Sequence, residues 1–197
     1  MLLMILGFCG SPRAGATEYV LKEALKMVED EGFKTNFYSV RDRKINFCTH
    51  CDYCLQNKGC IFKDDMETLY PLMEEAEGII FASPVYNGGI TAQSKAVIDR
   101  TRALVAGNPK VFRGKKGIAI AIGGDRIGGQ ELALQQIITF YTLNGVLTIS
   151  GGFFGANIGA TFWSKDTRDG VKEDDEGFRT LRKTIKRFVE SLHEKDA

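Results

Sequence analysis

Cys48, Cys51, Cys54 and Cys60 bring four of the chain's five thiols into thirteen residues, in the spacing C-x2-C-x2-C-x5-C. Thiolates at this density bind metal, pair as disulfides or cycle in redox chemistry. The apolar opening Met1-Leu-Leu-Met-Ile-Leu-Gly-Phe8 is short, lacks a basic leader and runs straight into Gly10-Ser-Pro-Arg13. It reads as a buried strand rather than an export signal or a membrane span. A cytoplasmic location is therefore expected, where thiols stay reduced and a metal site is favoured over a disulfide framework. Zinc commonly takes four thiolates from two C-x2-C pairs well separated in sequence. Here the pairs overlap in one continuous run, and three closely spaced thiolates wrap one side of an iron–sulfur cubane, as in bacterial ferredoxins. With a single run, Cys60 should close the same cluster, with Lys58-Gly59 as the flexible return. Iron–sulfur is the favoured occupant; zinc and redox-active thiols are the alternatives.

The neighbours of the cysteines carry weaker signals. His50 reads as a hydrogen-bond donor or an exposed residue rather than a ligand. Phe47, Tyr53, Ile61 and Phe62 are candidates to shield the cluster, or simply local packing. Arg41, Arg43 and Lys44 are candidates to offset its negative charge, or a solvated loop. Cys9 ends an apolar run and behaves as a small hydrophobe.

Apolar runs and turn residues supply the frame. Strands are expected over 2–8, 33–40, 78–82, 117–122 and 146–150. Helices are expected from a Thr17 cap to Gly32, over 65–77, from a Thr91 cap to about residue 105, over 129–143, and across Phe178, Leu181, Ile185, Phe188 and Leu192. Residues 41–63 are irregular, and 151–167 read as a Gly-rich loop. Five strands alternating with five helices predict an α/β fold with a doubly wound parallel sheet of order 2-1-3-4-5 and the cysteine-rich loop inserted after strand 2. Residues 1–197 are expected to form one domain. A ligand then sits beyond the carboxyl ends of strands 1 and 3, where the winding reverses.

The loops at that edge fit this expectation. Gly10-Ser-Pro-Arg-Ala-Gly-Ala-Thr17 offers hydroxyls (Ser11, Thr17), a cation (Arg13) and a helix amino end, which together suit an anion. It is neither G-x-G-x-x-G nor G-x-x-x-x-G-K-[ST], which argues against a dinucleotide Rossmann site or an NTPase. A terminal monophosphate, as on FMN, suits it better. Ser83-Pro-Val-Tyr-Asn-Gly-Gly89 lets backbone approach a flat ring, with Tyr86 packing on it. Gly123-Gly-Asp-Arg-Ile-Gly-Gly129 again holds glycine backbone near a ligand. Asp125 or Arg126 is expected to face that ligand or a neighbouring chain. Lys95, Asp99 and Arg100 carry no assigned chemistry.

Gly-Ser-Pro-Arg, Ser-Pro-Val-Tyr with the following Thr-Ala-Gln-x-Lys-Ala-x-Ile-Asp-Arg, and Gly-Gly-Asp-Arg-x-Gly-Gly-Gln-Glu resemble the flavodoxin-like NAD(P)H-dependent FMN reductases. With the four-cysteine motif added, nearly the whole chain resembles the iron–sulfur flavoproteins of methanogens and other anaerobes. The resemblance implies FMN, a [4Fe-4S] cluster on Cys48, Cys51, Cys54 and Cys60, a homo-oligomer (dimer or tetramer) and electron transfer. By position, Ser11, Arg13 and Thr17 match its phosphate loop; Gly15 and Ala16 can contribute only backbone. Pro84, Val85, Tyr86, Asn87 and Gly88 match its isoalloxazine loop, and Gly123 and Gly124 its third loop. The chain departs from the family at Ala14-Gly-Ala16, where many members carry Asn and a longer spacer.

Composition narrows the partners. Lys plus Arg number 26 against 25 Asp plus Glu, so a formal charge of +1 gives no footprint for nucleic acid or an acidic membrane. Because the cysteine loop follows strand 2, it is expected at the same carboxyl edge as the flavin loops. The expected activity is an electron-transfer oxidoreductase working between a one-electron donor such as ferredoxin and a small acceptor (dioxygen, peroxide or a quinone-like molecule). The alternatives are an NAD(P)H-dependent FMN or quinone reductase with structural zinc, and a non-catalytic redox sensor.

Overall fold

The computed structural model describes residues 3–153 and 157–194. Leu2 of the expected first strand and residues 154–156 of the expected Gly-rich loop lie outside the described residues. Among the described residues the strands are β1 (Met4–Cys9), β2 (Lys34–Ser39), β3 (Gly78–Pro84), β4 (Lys116–Gly123), β5 (Leu147–Thr148) and β6 (Ala160–Trp163). The helices are α1 (Ala16–Asp30), α2 (Tyr53–Gln56), α3 (Met66–Glu75), α4 (Ala92–Arg100), α5 (Arg102–Gly107), α6 (Gln130–Asn144), α7 (Arg168–Lys172) and α8 (Asp175–His193).

The sheet is parallel throughout and runs β2-β1-β3-β4-β5, with β6 also on β4. β1, β3 and β4 are buried along almost their whole length, which is why they read as continuous apolar runs. Their side chains alternate between two cores. Leu6, Phe8, Ile79, Phe81, Ala119 and Ala121 face α3, α4 and α6, whereas Ile5, Cys9, Ile80, Ala82, Ile118 and Ile120 face α1 and α8. Each fully buried Ile or Phe in these layers contributes about 1.5–3 kcal/mol relative to exposure. β2, on the edge, is half-buried and correspondingly polar.

Two expectations need correction. The fifth position of the sheet is filled in two pieces: Leu147–Thr148 pairs with the start of β4, and Ala160–Trp163 pairs with its end. The segment expected as loop therefore contains a strand, and Thr167 caps a further short helix by accepting from the Gly170 N–H. Ala160-Thr-Phe-Trp163 is too short and too enclosed by turn residues to stand out as a strand. The expected helix through residue 105 is broken at Thr101 into α4 and α5, where the Thr101 hydroxyl donates to the Ile98 carbonyl at 2.7 Å. Thr91 caps α4 as expected, accepting from the Ser94 N–H at 3.0 Å.

Candidate functional site

Two cavities hold the chemistry-bearing residues. The first, of about 200 Å³, lies at the switch point beyond β1 and β3, and Ser11, Arg13, Ala14, Gly15, Ala16, Thr17, Pro84, Val85, Tyr86 and Gly124 line it. Thr17 does not cap α1: the helix starts one residue earlier, with Gly15 in the cap position, and no side chain caps it. Its first-turn N–H groups have no side-chain acceptor, and with the helix dipole they make a cradle for an anion. Ser11 instead closes its own turn, its hydroxyl donating to the Arg13 carbonyl at 2.8 Å.

The ring-side loop is held by a two-residue turn. Tyr86 and Gly89 exchange backbone hydrogen bonds at 2.9 and 3.1 Å, with Asn87 at φ 49° and Gly88 at φ 76°. Asn-Gly is the pair that such a turn favours. Asn87 and Gly88 thus shape the loop from outside the cavity lining, while Tyr86, 42 % exposed, stands at the mouth. Thr91 ties this loop to the phosphate-side loop, its hydroxyl donating to the Gly10 carbonyl at 2.7 Å.

Gly123 is likewise behind the lining. Its carbonyl accepts from the Ser164 N–H at 2.9 Å and from the Ser164 hydroxyl at 3.0 Å. Gly124 is exposed to the cavity, and a Cβ there would run into the Asp166 carboxylate. Arg126 stacks over Trp163, its Cζ 4.7 Å from the ring centroid. The segment after β6 adds Ser164, Asp166 and Arg168 to the cavity wall. Sequence reasoning missed all three, because their role depends on β6 pairing with β4. Lys165 and Asp166 both have positive φ, 48° and 56°, a strained pair of the kind that marks functional loops. The resulting site has arginines at two corners, Arg13 and Arg168, beside an uncapped helix start. A phosphate-bearing ligand fits it.

All four clustered thiols line the second cavity, together with Tyr53, Ile61, Phe62, Arg100 and Arg102. His50 at φ 53° and Asp52 at φ 59° bracket Cys51 in the left-handed region, and Gly59 at φ 83° precedes Cys60. Three such residues fold the loop back so that thirteen residues return to one space. Among the described residues no three Cys, His, Asp or Glu side chains converge closely enough for a single metal ion. A lone zinc draws its thiolates to about 2.3 Å, whereas a cubane takes thiolates at separate corners. Four thiols on one cavity are a donor set that suits a cluster, with the spacing of the run in sequence favouring it over a lone zinc.

The expected shielding is partial. Tyr53, Ile61 and Phe62 line the cavity, but Phe47 does not and is 71 % exposed. His50 is exposed beside Asp52. Of the two readings of Arg41, Arg43 and Lys44, the solvated loop agrees with the structure: none of them lines the cavity. Arg41 pairs with Glu18 and Asp42, and Arg43 with Asp65 over the Tyr38 ring. Arg100 and Arg102, from the α4–α5 junction, line the cavity instead. Arg102 donates to Asp52 at 2.6 Å. Arg100 is buried and paired bidentately with Asp64, at 2.8 and 3.1 Å, and it also donates to the Asn46 carbonyl at 2.8 Å. Burial would raise the Asp64 carboxyl, but hydrogen bonds from Arg100 and Asn46 hold it down to about 2.

This anchor moves the cysteine loop from its expected place. The chain leaves β2 at the carboxyl edge, then Asn46 and Asp64 draw it to the carboxyl end of α4. Nine residue steps from Thr91 to Arg100 put that end about 13 Å along the helix from its flavin-side start. The two cavities share no lining residue.

Among the described residues, no helix is long and apolar enough to cross a membrane. The sequence profile of the NADPH-dependent FMN reductase family matches residues 3–161. An iron–sulfur flavoprotein of Archaeoglobus fulgidus is 67 % identical over 189 residues, covering 96 % of this chain and 97 % of that protein. One from Methanocaldococcus jannaschii is 51 % identical over 195 residues, covering 98 % of each. The crystal structure of RosB with a bound 8-demethyl-8-formylriboflavin-5'-phosphate intermediate shares the fold with a TM-score of 0.74 at 14 % identity, over 98 % of this chain and 79 % of that one. The chain belongs to the flavodoxin-like NADPH-dependent FMN reductase family and, within it, to the iron–sulfur flavoproteins, which makes it an FMN-dependent oxidoreductase.

Proposed function

We propose that the chain holds FMN in the switch-point cavity and a [4Fe-4S] cluster on Cys48, Cys51, Cys54 and Cys60. Through them it passes electrons between a one-electron carrier such as ferredoxin and a small acceptor: dioxygen, peroxide or a quinone-like molecule. The observation that carries this reading is the pairing, in one chain, of four thiols around one cavity with an arginine-flanked, uncapped helix start at the switch point. When bound, FMN supplies one- and two-electron chemistry and a cluster supplies single-electron transfer.

The chain's own residues bind and orient. The first-turn N–H groups of α1, with Arg13 and Arg168, would hold the phosphate, assisted by backbone at Gly15, Ala16 and Thr17. Pro84, Val85 and Tyr86 would flank the ring, with Gly124 allowing close approach; Asn87, Gly88 and Gly123 would keep these loops in shape. No side chain is required as acid or base. The 200 Å³ cavity is smaller than the roughly 300–1,000 Å³ usual for a closed ligand site, so a ring there is left partly uncovered. Together with the separate linings of the two cavities, this supports a homo-oligomer, dimer or tetramer, in which a cluster meets a neighbouring subunit's FMN; a cytoplasmic location goes with the reduced thiols that the cluster needs.

The test is a visible spectrum with iron, sulfide and zinc analysis of anaerobically purified protein. Near four irons and four sulfides per chain alongside FMN is the expected result. Zinc without sulfide would sink the proposal. Rapid stoichiometric flavin reduction by NADPH alone would favour a reductase with a structural metal, a reading that the family profile keeps in view.

A further inference from the structure

Arg100 is the least expected charge in the molecule. Its side chain is 1 % exposed, and its partner Asp64 is 4 % exposed. A buried ion pair gains little net stability over apolar residues of the same volume, so its presence here asks for another explanation. Phe62 lies against one face of the guanidinium, with Cζ 5.2 Å from the ring centroid. One edge of the group is fully committed, to Asp64 and to the Asn46 carbonyl. The Nε–H is buried and has no acceptor. An orphaned charged donor in the interior is costly. It lies on a residue that lines the cysteine cavity, where Asp64 does not, and Cys60 is close enough to bias the guanidinium electrostatically. Asp64 therefore fixes the guanidinium, Tyr70 lies close enough to act on it, and Arg100 stays on the cavity lining with its Nε–H unpaired.

We propose that Arg100 is the buried hydrogen-bond donor and counter-charge for the group held by the four cysteines, and that it sets that group's reduction potential. The proposal rests on the cluster reading above. Reduction adds one electron, and so one negative charge, to the thiolate-bound cluster, with no bond made or broken in the protein. A fixed cation and an N–H donor facing that charge stabilise the reduced form more than the oxidised form and raise the potential. Arg102 contributes less, because its partly exposed charge is screened by water.

The test is an EPR-monitored redox titration of the FMN-loaded holoprotein with dithionite as reductant, on wild type, Arg100→Lys and the neutral pair Arg100→Met with Asp64→Asn. The neutral pair removes the cation without stranding the carboxylate. Its reduced-to-oxidised cluster ratio at a fixed potential should fall about tenfold, equivalent to 59 mV for one electron. Arg100→Lys should shift the same way by less, because it keeps the charge and loses the Nε donor. The flavin potential serves as the internal reference and should hold. Cluster ratios within twofold of wild type in both variants, with iron and FMN content intact, would overturn the proposal. If the variants fail to assemble, wild-type protein carrying ¹⁵N-arginine decides. An arginine-nitrogen hyperfine coupling to the reduced cluster is expected, and its absence overturns the assignment. A wild-type protein with no cluster signal at all overturns the functional reading, and this one with it.

Discussion

Cys54 and Cys9 are the same residue type in opposite settings. Cys54 is half-exposed on the cysteine cavity, on a chain that returns there three times. Removing its thiol should cost the cluster but leave the switch-point cavity unchanged, because no residue is shared between them. The expected outcome for Cys54→Ala is loss of iron and sulfide with FMN retained at wild-type stoichiometry, read from the spectrum and metal content. Cys9 is fully buried in β1, and burial pushes its thiol up to about 11, only partly offset by a hydrogen bond at Ser11. At neutral pH its thiolate fraction is then on the order of one part in ten thousand. Maleimide should label up to four thiols in folded, cluster-free protein and a fifth only after denaturation, counted by mass spectrometry. Folded protein labelled rapidly at Cys9 would contradict this picture.

Thr91 shows what one hydroxyl does for an element. It caps α4 and, through the Gly10 carbonyl, joins the loop after β1 to the loop after β3. Thr91→Ala should cost about 1–2 kcal/mol in a urea melt. It should also weaken FMN binding several-fold in a fluorescence titration of apoprotein, while Thr91→Ser restores most of both. The cap was readable from sequence because a Thr before an amphipathic run is a local signal. The main strands were readable for a similar reason: a strand buried on both faces must be apolar throughout. What escaped prediction was non-local. β6 is four residues long and is specified by its register against β4. Ser164, Asp166 and Arg168 reach the site only through that pairing. Arg100 lies 40 residues from Cys60 in sequence and meets the cysteine loop through Asp64 and Asn46. No spacing rule connects them, so Arg100 could not be found from the sequence neighbours of the cysteines.

For the whole molecule, the incomplete cover on the switch-point cavity carries the argument for association. Tyr86 at its mouth, and Phe47, Leu55 and Ile61 around the cysteine loop, are large apolar side chains left exposed. Sedimentation of the loaded protein should give a mass two or four times 21.8 kDa. Dilution to the point of dissociation should slow electron passage from cluster to flavin without releasing iron. A fully loaded monomer with undiminished transfer would contradict the shared-site reading.

The sheet's last position, filled by β5 and β6 in turn, has a bearing on how the sheet keeps its register. β4 is paired along both ends of its outer edge, yet neither partner exceeds four residues, so no long unpaired ladder is left for a stray strand to join. The two registers are set separately, by Leu147 against Lys116 and by Ala160 against Ile120. One long strand would have to slip as a unit, whereas here a fault in either short pairing leaves the other half of the β4 edge in register.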